Sequence, residues 1–174
     1  MKIKRLVLIV IFLLLGVGSF FRYQAVNRHY QPQTVKEVMV HQGERVKDEV
    51  VHFQILSAKT QLTKDEALAS VKLKIKQVGP ANYGFKQNYP NFDENMWFNI
   101  PYGYYSVAKG AEKVNGKLLT MGEMAKSGDK VIVMNFRTPI DNYRSRNATP
   151  RFSFLVPHEN HQFTKYSYLL NFKS

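Results

Sequence analysis

Val71-Lys-Leu-Lys-Ile-Lys76 is the stretch on which the fold turns. Side chains alternate across a β-strand, so Val71, Leu73 and Ile75 go to one face and Lys72, Lys74 and Lys76 to the other. A strand that is apolar on one side and cationic on the other suits an antiparallel sheet with one face on a core and one in water. A helix competes for the same residues. Thr63-Lys-Asp-Glu66 has the form of a capping box, and Leu68, Val71, Ile75 and Val78 follow helical spacing. Leu73 then falls off the apolar face, and Gly79-Pro80 stops either element. The strand is preferred, with one helical turn at 63–68.

Outward from this stretch the same alternation recurs. Val51, Phe53 and Ile55 alternate with His52 and Gln54, and Ser127-Gly-Asp129 turns into a strand over Lys130–Phe136. Phe152–Val156 and Phe163–Phe172 read as closing strands, and Asn115-Gly116 as a tight turn between two brief ones. The aromatic segment 82–105, broken by Gly84, Pro90, Pro101 and Gly103, predicts two short strands or loops across a sheet edge. Asp141–Thr149 is polar and basic, hence a loop. Val35, Val38 and Val40 suggest a first short strand, and Gln42-Gly43-Glu44 a turn. Short strands with frequent turns and no long helix beyond the N-terminus predict an all-β antiparallel β-sandwich.

Lys2, Lys4 and Arg5 precede a chargeless apolar run that Arg22 closes. As a helix the run spans about 24 Å, slightly short of a ~30 Å hydrocarbon core, with Arg22 able to snorkel and Tyr23 suited to the interface. The basic flank predicts the N-terminus inside and the rest outside. A cleavable signal peptide is the rival, with Val17-Gly18-Ser19 as its site, but bulky Phe20 and Phe21 follow and no Ala-x-Ala pattern exists. The expected organisation is a basic flank at 1–5, a transmembrane signal anchor at 6–22, a tether at 23–45 and an extracytoplasmic β-sandwich at 46–174.

With 174 residues, 44% hydrophobic and 22% charged, the chain suits one core rather than two and lacks the signature of disorder. Zero cysteines exclude disulfides, thiolate metal sites, cysteine nucleophiles and a lipidated cysteine. A cysteine-free exported domain fits a Gram-positive surface. The net charge is +12, and setting aside Lys2, Lys4 and Arg5 leaves +9, an excess that attracts polyanions or merely keeps the domain soluble.

A turn leading into a Val/Phe strand (Gly43–Ile55), a V-x-L-x-I-x strand (Val71–Val78), a G-x-x-V-I-V-x-F-x-x-P strand (Gly128–Pro139) and a final strand (Tyr166–Phe172) follow one another in that order. Together they resemble an uncharacterised immunoglobulin-like family of membrane-anchored or lipidated proteins exported by Gram-positive bacteria. The resemblance covers most of residues 43–172. It implies an immunoglobulin-like fold and no known catalytic residues. The chain departs from it in the aromatic segment 82–105 and the basic loop 141–151.

Candidate chemistry is sparse. His158-Glu-Asn-His161 offers two imidazoles for zinc or copper, and Met121-Gly-Glu-Met124 two soft thioethers for Cu(I). The plain alternatives are a polar hairpin loop and core-filling methionines. Asp48-Glu49, Asp65-Glu66 and Asp93-Glu94 put adjacent carboxylates on opposite sides of an extended chain, unlike a glycosidase pair. Neither a nucleophile elbow nor a phosphate loop is present, so no enzyme activity and no cofactor is expected.

The basic residues are the strongest functional feature: Lys72, Lys74 and Lys76 as a comb, with Arg137, Arg144, Arg146 and Arg151 late in the chain. Phe136, Tyr143 and Phe152 lie near them, as in single-strand nucleic-acid sites, although an extracellular place makes nucleic acid an unnatural partner. A comb on an edge strand would instead block edge-to-edge pairing. Tyr89, Phe92, Trp97, Tyr102, Tyr104 and Tyr105 are either a contact surface or the core itself. The expected function is a membrane-anchored extracytoplasmic binding module for a partner protein or an anionic cell-surface polymer. Alternatives are a structural subunit of a secretion, conjugation or competence assembly, or a copper-binding protein.

Overall fold

The computed structural model describes residues 2–27, 34–100, 103–107, 109–144 and 149–172. It divides into two units, 1–33 and 34–174. In the first, helix α1 (Lys2–Asn27) carries a 24-residue run, Ile3–Val26, of mean hydropathy 2.3, long and apolar enough to cross a membrane. Arg22 does not end the helix, as the sequence suggested. At ~1.5 Å per residue the run reaches ~36 Å, longer than a ~30 Å hydrocarbon core.

The second unit is mostly β. Its elements are β1 (Thr34–Met39), β2 (Arg45–Lys47), β3 (Val51–Leu62), β4 (Glu66–Gln77), β5 (Met96–Ile100), β6 (Gly103–Ser106), β7 (Ala111–Lys113), α2 (Met121–Ala125), β8 (Lys130–Pro139), α3 (Ile140–Arg144), β9 (Arg151–Pro157) and β10 (Gln162–Leu169). The first sheet runs β1-β10-β9-β5-β6 and the second β2-β3-β4-β8-β7. Every pairing is antiparallel except that of β1 with β10. The sheets face each other across one core. Phe53 of the second sheet meets Phe154 at 5.5 Å and Tyr166 at 5.2 Å between ring centroids, and Phe136 meets Phe152 at 5.9 Å. Fully burying such a ring contributes roughly 1.5–3 kcal/mol.

Val71, Leu73 and Ile75 are buried in this core, and Lys72, Lys74 and Lys76 point away from it. The strand, not the helix, takes these residues. Thr63 nonetheless behaves as a cap: its Oγ1 accepts from the backbone N–H of Glu66 at 2.9 Å and of Asp65 at 3.3 Å. The capping-box residues thus close the tight turn from β3 to β4, and the chain leaves it extended. The expected edge position of the comb is corrected, since β4 is the middle strand of the second sheet. The comb therefore guards no open edge.

Two boundaries move as well. The stretch expected as a tether holds strand β1, which pairs with β10 over Thr34–Met39, and the start of β2. Val38 and Val40 pack on or within the core, which pins this segment to the sandwich. The expected loop after β8 opens with α3, where Ile140 is buried and its N–H donates to the Asp65 carbonyl at 2.8 Å. A bulge between Ile55 and Ser57 in β3 resets which residues face out. Before it His52 and Gln54 point outward, and after it Lys59 stands opposite outward-facing Ser70.

Candidate basic face and its neighbours

The outer side of the second sheet is assembled by register. Lys74 lies opposite Gln54 and Lys76 opposite His52, while Arg45 pairs with Gln54 and Lys47 with His52. Paired residues of an antiparallel ladder share a face, so β2 and β4 deliver cations to one side, with His52 and Gln54 of β3 between them. Arg45, Lys47, His52, Gln54, Lys74, Lys76 and Asp129 surround a shallow hollow of about 310 Å³. Asp129 sits at its rim, after the Gly128 turn (φ 106°), and its carboxylate meets Lys74 Nζ at 2.7 Å. The hydrogen bond from Lys74, with the added charges of Lys74, Lys76 and His52, holds this carboxyl below the usual carboxylate range. A local field that stabilises one carboxylate in this way attracts other anions.

Arg45, Lys47 and His52 were missed by the sequence reading. Arg45-Val46-Lys47 carries the same basic-apolar-basic alternation as the comb, but over three residues it is too short to stand out. Arg137 also points outward on β8, opposite Leu68, with Glu66 at 3.8 Å. Leu68 and Lys74 are six residues apart on β4, so Arg137 stands ~20 Å from the hollow. Arg144 is exposed on α3. Arg146 lies outside the described residues.

Arg151 belongs to the other sheet. Its Nη1 donates to Glu37 Oε1 at 2.9 Å; Lys165 Nζ approaches the same oxygen at 3.3 Å, and Ser167 Oγ donates to it at 2.7 Å. Glu37 is held below its ordinary value by the Ser167 hydrogen bond first, then by Lys165 and Arg151, against the cost of burial. These two cations are spoken for, and the described members of the expected basic patch fall in separate places.

The aromatic expectation divides likewise. Phe136 and Phe152 are core residues at 3% and 1% exposure, and Tyr143 packs against that core. Register puts no Phe, Tyr or Trp on the outer face of β2, β3, β4 or β8, where the planar side chains at the hollow are His52 and Arg45. Phe92 is buried beneath Tyr83 at 6.3 Å. Tyr89 is half-buried, its hydroxyl donating to Glu94 at 2.8 Å and its ring lying under Lys86 at 4.4 Å. Trp97 stands half-buried on the outer side of the first sheet, opposite Ser153. Tyr102 lies outside the described residues, as do the side chains of Tyr104 and Tyr105 on β6.

Among the described residues the metal candidates do not assemble. Met124 is buried in the core and Met121 is exposed, on a five-residue helix capped by Thr120. His158 has both ring nitrogens engaged: Nδ1 with Glu49 Oε1 at 2.9 Å, and Nε2 with Thr164 Oγ1 at 2.8 Å, 3.5 Å from Asp48 Oδ2. The His161 side chain lies outside the described residues. No group of three or more His, Cys, Asp or Glu suited to a metal occurs among the described residues.

Thr164, His158 and Glu49 follow the order of a nucleophile, base and orienting acid. The nearby hollow of about 260 Å³ is lined by Glu49, Pro80, Asn82 and His158 but not by Thr164, so the hydroxyl does not meet it. The group is a tie between sheets. Asp48, 8% exposed, accepts from the Val50 N–H at 2.8 Å and from the Tyr166 hydroxyl at 2.7 Å. Burial, then Asp48, pushes the Tyr166 hydroxyl up, which keeps it a donor.

No protein-family model matches the chain, and no curated protein does. Among solved structures, an uncharacterized beta-sandwich protein from Clostridium difficile 630 is similar at 13% identity and a TM-score of 0.47, over 82% of this chain and 98% of that one.

Proposed function

We propose that the protein is a membrane-anchored, extracytoplasmic binding module that holds an anionic cell-surface polymer on the outer face of its second sheet. The observation that carries this reading is the convergence of Arg45 and Lys47 from β2 with Lys74 and Lys76 from β4 on one hollow, with Asp129 as the carboxylate at its rim. Exposed cations at this density raise local anion concentration and speed encounter. The outer faces of β2, β3, β4 and β8 carry no Phe, Tyr or Trp, which favours a flexible, non-stacking polymer over single-stranded nucleic acid. Helix α1 supplies the anchor, and the basic flank Lys2, Lys4, Arg5 supports an outward-facing domain.

The immunoglobulin-like reading of the sandwich is supported by its strand order. Lettered from β3 onward, the second sheet reads A-B-E-D over β3-β4-β8-β7, and the first reads G-F-C-C′ over β10-β9-β5-β6. Strands β1 and β2 are additions ahead of A.

The test uses the full chain in neutral detergent against poly-L-glutamate, dextran sulfate and poly(glycerol phosphate). Retention by at least one polymer, lost at about 0.5 M salt, is expected. Failure to bind any of them at low salt would overturn the proposal.

A further inference from the structure

We infer that the loop over residues 82–89 is a lipid-contacting prong, with Phe85 dipping into the surface of the membrane on which α1 anchors the chain. This rests on the anchor reading of α1 above and adds a second contact with the same membrane. Phe85 is 70% exposed, and its backbone sits in the left-handed region at φ 59°. For a bulky side chain that region is an outlier, and it persists only where the surroundings force it. Here they do. Tyr83 is fully buried, its N–H donating to the Tyr89 carbonyl at 3.1 Å and its hydroxyl to Gln77 Oε1 at 2.9 Å. The Gly84 N–H donates to Asn95 Oδ1 at 2.8 Å, and the Lys86 N–H to the Tyr83 carbonyl at 3.1 Å. The loop is pinned on both sides of Phe85, and the ring is held outward.

Packing within the sandwich explains only part of this placement. The Phe85 ring lies 5.6 Å from that of Phe163, which is 7% exposed, so Phe85 covers a neighbour while staying uncovered itself. Val35 stands opposite Phe163 on β1 and is 51% exposed, and Lys86 Nζ lies 4.4 Å from the centre of the Tyr89 ring. An apolar tip backed by a tyrosine ring and a long cationic side chain has the composition of a contact at headgroup level.

The chain itself favours lipid as the occupant. β1 and β10 run parallel, with Thr34 beside Gln162 and Val35 beside Phe163. The Phe85 cluster therefore lies at the end of the sandwich where the chain enters from α1. Residues 28–33 join Asn27 to Thr34, and fully extended that connection reaches at most ~25 Å. With α1 across a membrane, Thr34 stays within that reach of the lipid surface, so lipid is offered to this end at high effective concentration. A soluble partner has no such advantage.

The test places the full chain in phosphatidylcholine vesicles. The chain has no cysteine, so each single-cysteine variant carries one nitroxide label. Gln87→Cys puts the label beside the prong, and Leu14→Cys puts it within α1. Gln61→Cys is the control: β3 starts beside the β9–β10 turn, where Glu49 meets His158, and Gln61 lies near its other end. Relaxation by oxygen, which concentrates in lipid, is compared with relaxation by a water-soluble nickel chelate. The oxygen-to-nickel ratio at position 87 should be severalfold that at position 61. Phe85→Asn removes the ring with a residue that tolerates the left-handed backbone, and it should lower the docked-to-free ratio about tenfold. A ratio at 87 equal to that at 61, or one unmoved by Phe85→Asn, would overturn the inference and leave the anchor standing if the Leu14→Cys label is buried in lipid. A Leu14→Cys label open to the nickel chelate would remove both.

Discussion

The two sheets carry cations on their outer faces and treat them in opposite ways. On the first, Arg151 and Lys165 converge on Glu37, which Ser167 also holds, so the charges are consumed by the fold. On the second, Arg45, Lys47, Lys74 and Lys76 surround a hollow whose carboxylate, Asp129, engages Lys74. The first arrangement is a tie between β1, β9 and β10. The second leaves excess positive charge at the surface, and that excess is available for a ligand. Counting basic residues along the chain cannot separate these cases, because the difference lies in which acid each cation meets.

The sharpest break in the comparison is the combined substitution Arg45→Gln, Lys47→Gln, Lys74→Gln and Lys76→Gln. Polyanion affinity should fall about 100-fold at low salt, while stability to urea changes by less than about 0.5 kcal/mol, because all four lie at the surface outside the core. A large loss of stability instead would mean the second face is also structural. Glu37→Gln probes the other side. It leaves Arg151 and Lys165 without their shared carboxylate and should cost about 1 kcal/mol, allowing for solvent screening. It should also give the first face weak polyanion binding of its own.

The pH dependence follows from the same residue. Glu37 titrates below its ordinary 4.5 in the folded state. As pH falls through 4.5 the unfolded chain takes up the proton first, so the stability that Glu37 adds is complete above that value and is lost as pH drops toward the lower folded one. Urea midpoints between pH 6 and about pH 3 should show this fall in the native protein, and Glu37→Gln should remove its share.

Smaller effects are expected elsewhere. His158→Gln breaks the tie to Glu49 and Thr164 and should cost about 1 kcal/mol in urea unfolding with no change in polyanion binding. Arg137→Gln, with its loose 3.8 Å partner and ~20 Å from the hollow, should move neither measurement beyond about 0.5 kcal/mol. A substantial loss of binding there would extend the site along the whole sheet.

Much of the fold is legible because burial writes period-two patterns into long strands. Val71–Lys76 and Lys130–Phe136 show it without ambiguity. Thr63–Glu66 misleads because a cap satisfies the same backbone N–H groups in a tight turn as in a helix. β1 is faint because an edge strand buries little, leaving Val35 51% exposed. The site is half legible. The comb announces itself on one strand, but Arg45 and Lys47 join it only through the β2–β3 and β3–β4 register, which is a long-range property. Arg151 was misplaced for the same reason, since nothing local to it tells which sheet receives it.

The most direct test of the account is the salt dependence of poly(glycerol phosphate) binding by the full chain. The open cationic face predicts that log affinity falls linearly with log salt at a slope of about 2–3, as several cations release counterions together. Tight binding with a slope near zero would contradict it and place the ligand away from these charges.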